Sequence, residues 1–192
     1  LNNIGSSIEA LKNPLISVVC PAYNAEKTIA NAINSILNQT FQDFELIIAN
    51  DGSTDRTVNV IRQFKDSRIR LESFEVNHGI VTARNYGNQL AQADIIAIQD
   101  ADDLSMPDRL DKSYKELKNG YADVVVHDAY TNFWDAQFNC ISRGYIQNPE
   151  FSKELLLQGQ VYTGWPVFWK KVWEAKPFRV ETQYVYDYAM HV

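Results

Sequence analysis

The sequence predicts an open, mostly parallel α/β sheet flanked by helices. Two observations predict it. From Leu15 onward, short β-branched runs alternate with amphipathic segments. The apolar runs are also continuous rather than alternating, as strands buried on both faces require.

The elements follow in order. LISVVC, residues 15–20, is the first strand. Ile29, Ala32, Ile33, Ile36 and Leu37 then recur at helical spacing on one face. FELIIA, residues 44–49, is the second strand, closed by Asn50-Asp51-Gly52-Ser53, a turn with helix-capping residues. Val58, Ile61 and Phe64 mark a second helix, residues 69–74 a third strand and residues 81–91 a third helix. IIAIQ, residues 95–99, is the fourth strand. Pro107 is expected to open the next helix, at a position proline favours. Residues 124–126 (VVV) form a further short strand. Beyond Val126 the rhythm breaks and aromatics become dense, Trp165, Phe168, Trp169 and Trp173 among them.

This pattern divides the chain into a polar lead, residues 1–13, and a domain, residues 14–192. Within the domain, a Rossmann-like nucleotide-binding half spans about 14–126 and an acceptor-shaping half about 127–192. The chain opens on Leu1, and its last stretch, YVYDYAMHV, stops inside a helix-like pattern. The natural polypeptide is therefore expected to continue past residue 192, a C-terminal truncation.

Composition narrows the function. Of 192 residues, 45% are apolar, enough for a core, and 22% are charged, too few for wholesale disorder. The net charge of −6 argues against a nucleic-acid partner, which needs a basic footprint. No apolar run is long enough for a transmembrane helix, and the N-terminus lacks the pattern of a signal peptide. The two cysteines, Cys20 and Cys140, suggest neither a disulfide framework nor a zinc site. Cys20 reads as a small buried hydrophobe, and a reducing cytoplasmic location is the default.

The chemistry-bearing residues fall where strands end. The first strand empties into Pro21-Ala22-Tyr23-Asn24-Ala25-Glu26, the second into Asn50-Asp51, and the fourth into Asp100-Ala101-Asp102-Asp103. Ligands of open α/β sheets bind beyond the carboxyl ends of strands. Three acids within four residues repel one another, and a hard divalent cation supplies the missing counter-charge. A solvated acidic loop capping the next helix is the plainer alternative. Asp51 is either a turn or cap residue or a base or ribose ligand, and one role does not exclude the other. Tyr23 either stacks on a base or is an ordinary loop aromatic. Gly79 precedes a helix and permits close backbone approach, and Arg84 either reaches a phosphate or braces an acidic site. Asp187, among Tyr184, Val185, Tyr186 and Tyr188, is either a base with a raised pKa or a surface helix carboxylate.

Together, SVVCPAYNAE, ANDGSTD, NHGIVTARNYG, QDADDLSMPDRL and YDYA resemble the inverting glycosyltransferase family 2, with the GT-A fold. The five pieces occur in the family's order over nearly the whole chain from Leu15. The resemblance implies that Pro21, Ala22, Tyr23, Asn24 and Glu26 line the nucleotide pocket, and that Asp51 hydrogen-bonds the base. It places Gly79 and Arg84 near the base and phosphates, and Asp100 near the ribose. Asp100-Ala101-Asp102 would be the DxD motif, with Asp102 on the metal and Asp103 towards the donor sugar or the metal shell. Asp187 would be the catalytic base, although the usual Glu-Asp is Tyr186-Asp187 here. The Gln-x-x-Arg-Trp motif of processive members is absent from residues 1–192.

The resemblance further implies Mn2+ or Mg2+ as cofactor, a nucleotide-sugar donor (by family habit UDP-linked) and a saccharide or glycolipid acceptor. The expected role is bacterial surface polysaccharide synthesis, with cytoplasmic location and peripheral association at the inner membrane face. The competing expectations are a non-catalytic nucleotide-binding module of the same fold and a metal-dependent nucleotidyltransferase. The latter usually carries a Gly-rich basic loop, which PAYNAEKT lacks. A dinucleotide oxidoreductase would need G-x-G-x-x-G after the first strand, and it is missing.

Overall fold

The computed structural model describes residues 13–120, 122–134, 140–146 and 165–178. A six-stranded sheet carries the fold, in the order β3-β2-β1-β4-β8-β5. Its strands are β1 (Ile16–Ala22), β2 (Phe44–Asp51), β3 (Ile69–Phe74), β4 (Ile95–Ile98), β5 (Val124–Val125) and β8 (Val167–Trp169). β3, β2, β1 and β4 pair in parallel, with Val18 opposite Leu46 and Ala97. β8 runs antiparallel between β4 and β5. A separate hairpin pairs β6 (Ala129–Trp134) with β7 (Cys140–Ile146).

The helices are α1 (Ile29–Leu37), α2 (Thr57–Ile61), α3 (Ile80–Leu90), α4 (Arg109–Lys118) and α5 (Lys170–Ala175). Every residue of β1 and β4 is buried. Alternate side chains of each strand therefore enter two different cores. Val18, Leu46 and Ile48 join Ile29, Ile33 and Ile36 of α1 and Leu110 and Leu117 of α4. Val19, Ile47, Ile96 and Ile98 join Val81 of α3, with Phe168 and Phe178. Each fully buried Ile, Leu or Phe contributes roughly 1.5–3 kcal/mol, so this two-sided burial dominates the fold's stability.

Sequence and structure differ at element ends. β1 and β2 each run two residues past the apolar run, so Pro21, Ala22, Asn50 and Asp51 are strand residues. The ladder continues there because Pro21 sits opposite Ala49 and Ala22 opposite Asn50. Pro107 does not open α4, which begins at Arg109. The Pro107 carbonyl instead accepts the backbone N–H of Thr40 at 2.8 Å, tying this turn to the chain after α1. β8 lies beyond residue 126 yet fills a place in the main sheet, so the two halves read from the sequence share one sheet.

Candidate functional site

The strand order reverses between β1 and β4, and the crevice beyond their carboxyl ends is where such sheets place ligands. Three loops and the start of α3 border it. The loops after β1 and β2 are laced together. Asn24 adopts a left-handed backbone (φ 48) and accepts the Thr54 N–H at 2.9 Å, while its own N–H donates to Ser53 Oγ at 3.0 Å. Glu26 accepts the Arg56 N–H at 3.0 Å and donates its backbone N–H to Asp55 Oδ2 at 3.1 Å. Asn24 and Glu26 thus spend their side chains on the neighbouring loop. Pro21 and Ala22 are buried at the end of β1, whereas Tyr23 stands 49% exposed at the crevice.

Asp51 is 2% exposed and holds the start of α3. Its Oδ1 accepts the His78 N–H and its Oδ2 the Gly79 N–H, both at 2.8 Å. A carboxylate is favourable there because the first N–H groups of a helix have no partner inside it. Asp51 therefore anchors the two residues that lead into α3 and does not cap the helix that follows it in sequence. Each oxygen keeps a second acceptor position, so base contact stays open to it. Gly79, at φ 90, makes the turn into α3. Gly52 (φ 68) makes the close approach that brings the two loops together. A Cβ there would lie 2.4 Å from the Val76 carbonyl carbon.

Arg84 takes the bracing role of the two open to it. It is 5% exposed, and its Nη2 donates to Asp100 Oδ1 at 2.7 Å. Its guanidinium acts at the crevice through Asp100 rather than as a free cation. Neighbouring Asn85 clamps the far end of the described chain to α3. Its Oδ1 accepts Trp173 Nε1 at 2.8 Å and the Phe178 N–H at 3.1 Å.

The acidic turn follows β4 directly. Ala101 is buried, and Asp102 is exposed with no hydrogen-bond or ionic partner among the described residues. Asp103 is half-buried and accepts the Trp165 indole N–H at 2.6 Å on Oδ2. Burial pushes the Asp103 carboxyl up to about 6, and the charges of Asp100 and Asp102 add to the rise. Trp165 and Arg109 oppose it. Buried Cys20 lies beneath the turn, and burial together with the same acids pushes its thiol up, so it stays protonated and unreactive.

Two residues shape the turn without having been assigned a role from sequence. Gln99, buried, donates through Nε2 to the carbonyls of Asp100 (3.0 Å) and Asp103 (2.9 Å). Its Oε1 accepts Ser105 Oγ at 2.6 Å and Arg109 Nη1 at 3.1 Å. Arg109, 7% exposed, also donates to Ser105 Oγ (2.9 Å), the Ile98 carbonyl (2.7 Å) and the Trp165 carbonyl (3.0 Å). Burial pulls Arg109 down to about 10, against the raising effect of Asp100 and Asp103, and it stays charged at neutral pH.

Behind Arg109, Ser113 Oγ donates to the Arg109 carbonyl at 2.8 Å, which leaves its lone pairs to accept from His127 Nε2 at 2.9 Å. Burial pulls His127 down to about 4, with the Arg109 and Lys112 charges acting the same way and Asp128 and Asp108 against them. Its ordinary value is 6.5, so between about 6.5 and 4 the unfolded chain binds a proton that the fold refuses. This contribution is complete above pH 6.5 and is lost as pH falls to about 4, up to about 3 kcal/mol. Asp103 works in the opposite sense between its ordinary value of 3.8 and about 6. The His127 effect is therefore read as a difference. Chemical denaturation of wild type and His127→Gln across pH 4–7 is expected to show the gap between them narrowing as pH falls. Parallel stability curves would contradict a buried, neutral His127.

Asp187 lies outside the described residues, as do 147–164. Among the described residues no three His, Cys, Asp or Glu side chains gather as a metal nest. The donor set still fits a hard cation. Mg2+ and Mn2+ are commonly held by one or two carboxylates, with phosphate and water completing the shell. Asp102 offers such an open carboxylate, exposed on the turn beside Asp100 and Asp103.

Fold and site together define a Rossmann-like α/β domain with a carboxylate turn at its switch point. Comparison with known proteins then specifies it. The family model described as glycosyl transferase family 2 matches residues 17–172, and the chain belongs to that family. It is 39% identical over 130 residues to an uncharacterized glycosyltransferase of Haemophilus influenzae, covering 67% of this chain and 51% of that protein. It is 31% identical over 182 residues to a chondroitin synthase of Escherichia coli, covering 93% of this chain and 26% of that one. The chain thus spans about half the length, or less, of these relatives.

Solved structures show the same GT-A fold. S. aureus TarS in complex with UDP matches with a TM-score of 0.74 at 20% identity, covering 91% of this chain and 53% of that one. The mannosyltransferase PcManGT of Pyrobaculum calidifontis, in complex with GDP-Man and Mn2+, matches with a TM-score of 0.64 at 19% identity, covering 88% and 48%. No helix among the described residues is long and apolar enough to cross a membrane.

Proposed function

We propose that this chain is the catalytic domain of an inverting glycosyltransferase that moves a sugar from a nucleoside-diphosphate sugar to a hydroxyl of a saccharide or glycolipid acceptor. The observation that carries it is the exposed Asp102, without a partner among the described residues, on a turn braced from both sides at the switch point of the sheet. Family membership and the nucleotide-bound neighbours support the same reading. The donor is taken as UDP-linked, since TarS is seen with UDP and with UDP-GlcNAc. Bacterial surface polysaccharide synthesis is the setting that the relatives suggest.

Tyr23 stacks on the base, and the ledge that Asp51 pins at His78 and Gly79 borders it. Asp102, with Asp103 in support, would hold Mn2+ or Mg2+. When bound, the cation supplies Lewis-acid stabilisation of the departing nucleoside diphosphate. Arg84 holds Asp100 in place through Oδ1, so that its second oxygen is presented to the ribose. Asp187, assigned on its place in Tyr186-Asp187-Tyr188, takes the proton of the acceptor hydroxyl. The hydroxyl oxygen then attacks the anomeric carbon opposite the leaving group, and one displacement inverts that centre.

Calorimetric titration of UDP, GDP and dTDP, with and without Mn2+, tests the donor site. Tight binding of one nucleotide is expected, dependent on Mn2+ and lost in Asp102→Ala. Binding indifferent to both would refute the donor site. Binding without sugar transfer or hydrolysis would identify a non-catalytic module of the same fold.

A further inference from the structure

Trp165 sits at a junction that neither the strand pattern nor the acidic turn explains by itself. Its indole N–H donates to Asp103 Oδ2 at 2.6 Å, while its carbonyl accepts Arg109 Nη2 at 3.0 Å. Arg109 in turn holds Gln99, whose amide spans the Asp100 and Asp103 carbonyls. The next residue, Pro166, presents its carbonyl to the Ile98 N–H at 3.0 Å, at the end of β4. The chain entering β8 is therefore fastened at three points around the acidic turn, to Ile98 of β4, to Arg109 of α4 and to the Asp103 carboxylate itself.

We propose that Trp165 is a positioning residue for donor-sugar recognition. By occupying Oδ2 of Asp103, it fixes the carboxylate plane and aims Oδ1 at the crevice. A half-buried carboxylate has two chemically equivalent oxygens and rotates unless one is engaged. A short hydrogen bond from a rigid indole supplies that engagement with little loss of rotamer freedom. Asp102 next door is exposed and without a partner among the described residues, so the two acids differ in order. Asp102 adapts its geometry to a cation, whereas Asp103 is preset for directional hydrogen bonds. Sugar hydroxyls or an acetamido N–H are the donors that such a preset acceptor selects.

The inference rests on the transferase reading, and a single experiment separates the two. Trp165→Phe keeps the ring and removes only the N–H. UDP, UDP-glucose and UDP-GlcNAc are titrated in Mn2+ into wild type, Trp165→Phe, Asp103→Asn and the double variant, with thermal unfolding of each. UDP affinity is expected to be unchanged in Trp165→Phe. Its preference for the better UDP-sugar over UDP is expected to fall by about ten-fold. In the Asp103→Asn background, Trp165→Phe is expected to add little, because the carboxylate it positions is gone. An unchanged sugar preference in Trp165→Phe overturns the inference while leaving the donor site standing. Equal loss for UDP and UDP-sugars, tracking a lower Tm, overturns it too, by showing a purely structural contact. Wild type that binds none of the three refutes the UDP-donor reading and the inference with it.

Discussion

Asp102→Ala is expected to abolish sugar transfer, by about 10³-fold or more, without destabilising the fold. Most carboxylates at the crevice do structural duty: Asp51 anchors the turn into α3, Asp100 pairs with Arg84, and Asp103 holds Trp165. Asp102 has no such task among the described residues, and it is exposed. Its charge also raises the Asp103 carboxyl, so the apo protein carries a like-charge penalty on this turn. Removing one of the three acids relieves it. The apo Tm of Asp102→Ala is therefore expected to equal or slightly exceed that of wild type, while turnover of a UDP-sugar collapses. Asp102→Asn keeps the shape and an oxygen but loses the charge, and is expected to fail nearly as badly. Turnover within ten-fold of wild type would show that the charge is not used. A large fall in Tm would show that Asp102 is part of the scaffold.

The parallel sheet was legible because a strand buried on both faces leaves a plain mark, an unbroken apolar run such as LISVVC or FELIIA. Positions in α1 were legible for a similar reason. Ile29, Ala32, Ile33 and Ile36 repeat at helical spacing, and all four are buried. The strand ends were less so, because Asn50 and Asp51 look like turn residues while the ladder to β3 continues through both. β8 was invisible, since three residues of mixed aromatic character carry no periodicity and their place is set by partners far away in sequence.

The acidic turn itself could be read as a site, because gathered acids are costly anywhere else. What supports it could not. Arg84 sat in a recognised segment, but whether it met a phosphate or an acid depended on the path of α3. Gln99 left one trace, a polar amide closing the apolar run IIAI. Arg109 left none, since a basic residue at the start of α4 reads as a solvated helix end. Its burial is a tertiary fact.

Arg109 is where that tertiary fact has its largest expected consequence for stability. Arg109→Leu is expected to cost about 3–5 kcal/mol, the range for breaking a buried charged network from one side. Four acceptors each lose one donor at once: Gln99 Oε1, which keeps Ser105 Oγ, Ser105 Oγ itself, and the carbonyls of Ile98 and Trp165. Leu has no N–H to replace them, and its smaller volume leaves a polar void beneath the acidic turn. The charge matters separately, because among the described residues Arg109 is one of two buried cations beside the three acids, Arg84 being the other. Arg109→Lys retains that charge but cannot reach four acceptors from one point, so it is expected to recover part of the stability. Asp103→Asn in the Arg109→Leu background is expected to restore some as well, because it removes a half-buried charge that Arg109 had partly balanced. Urea denaturation of the four proteins reads each step. If Arg109→Leu lost less than about 1 kcal/mol, the brace would be a bystander and the acidic turn would be held by Gln99, Arg84 and Trp165 without it. If Lys were as poor as Leu, geometry rather than charge would be what β4 and its turn require. That outcome would fit a turn whose carboxylates must be aimed as well as neutralised.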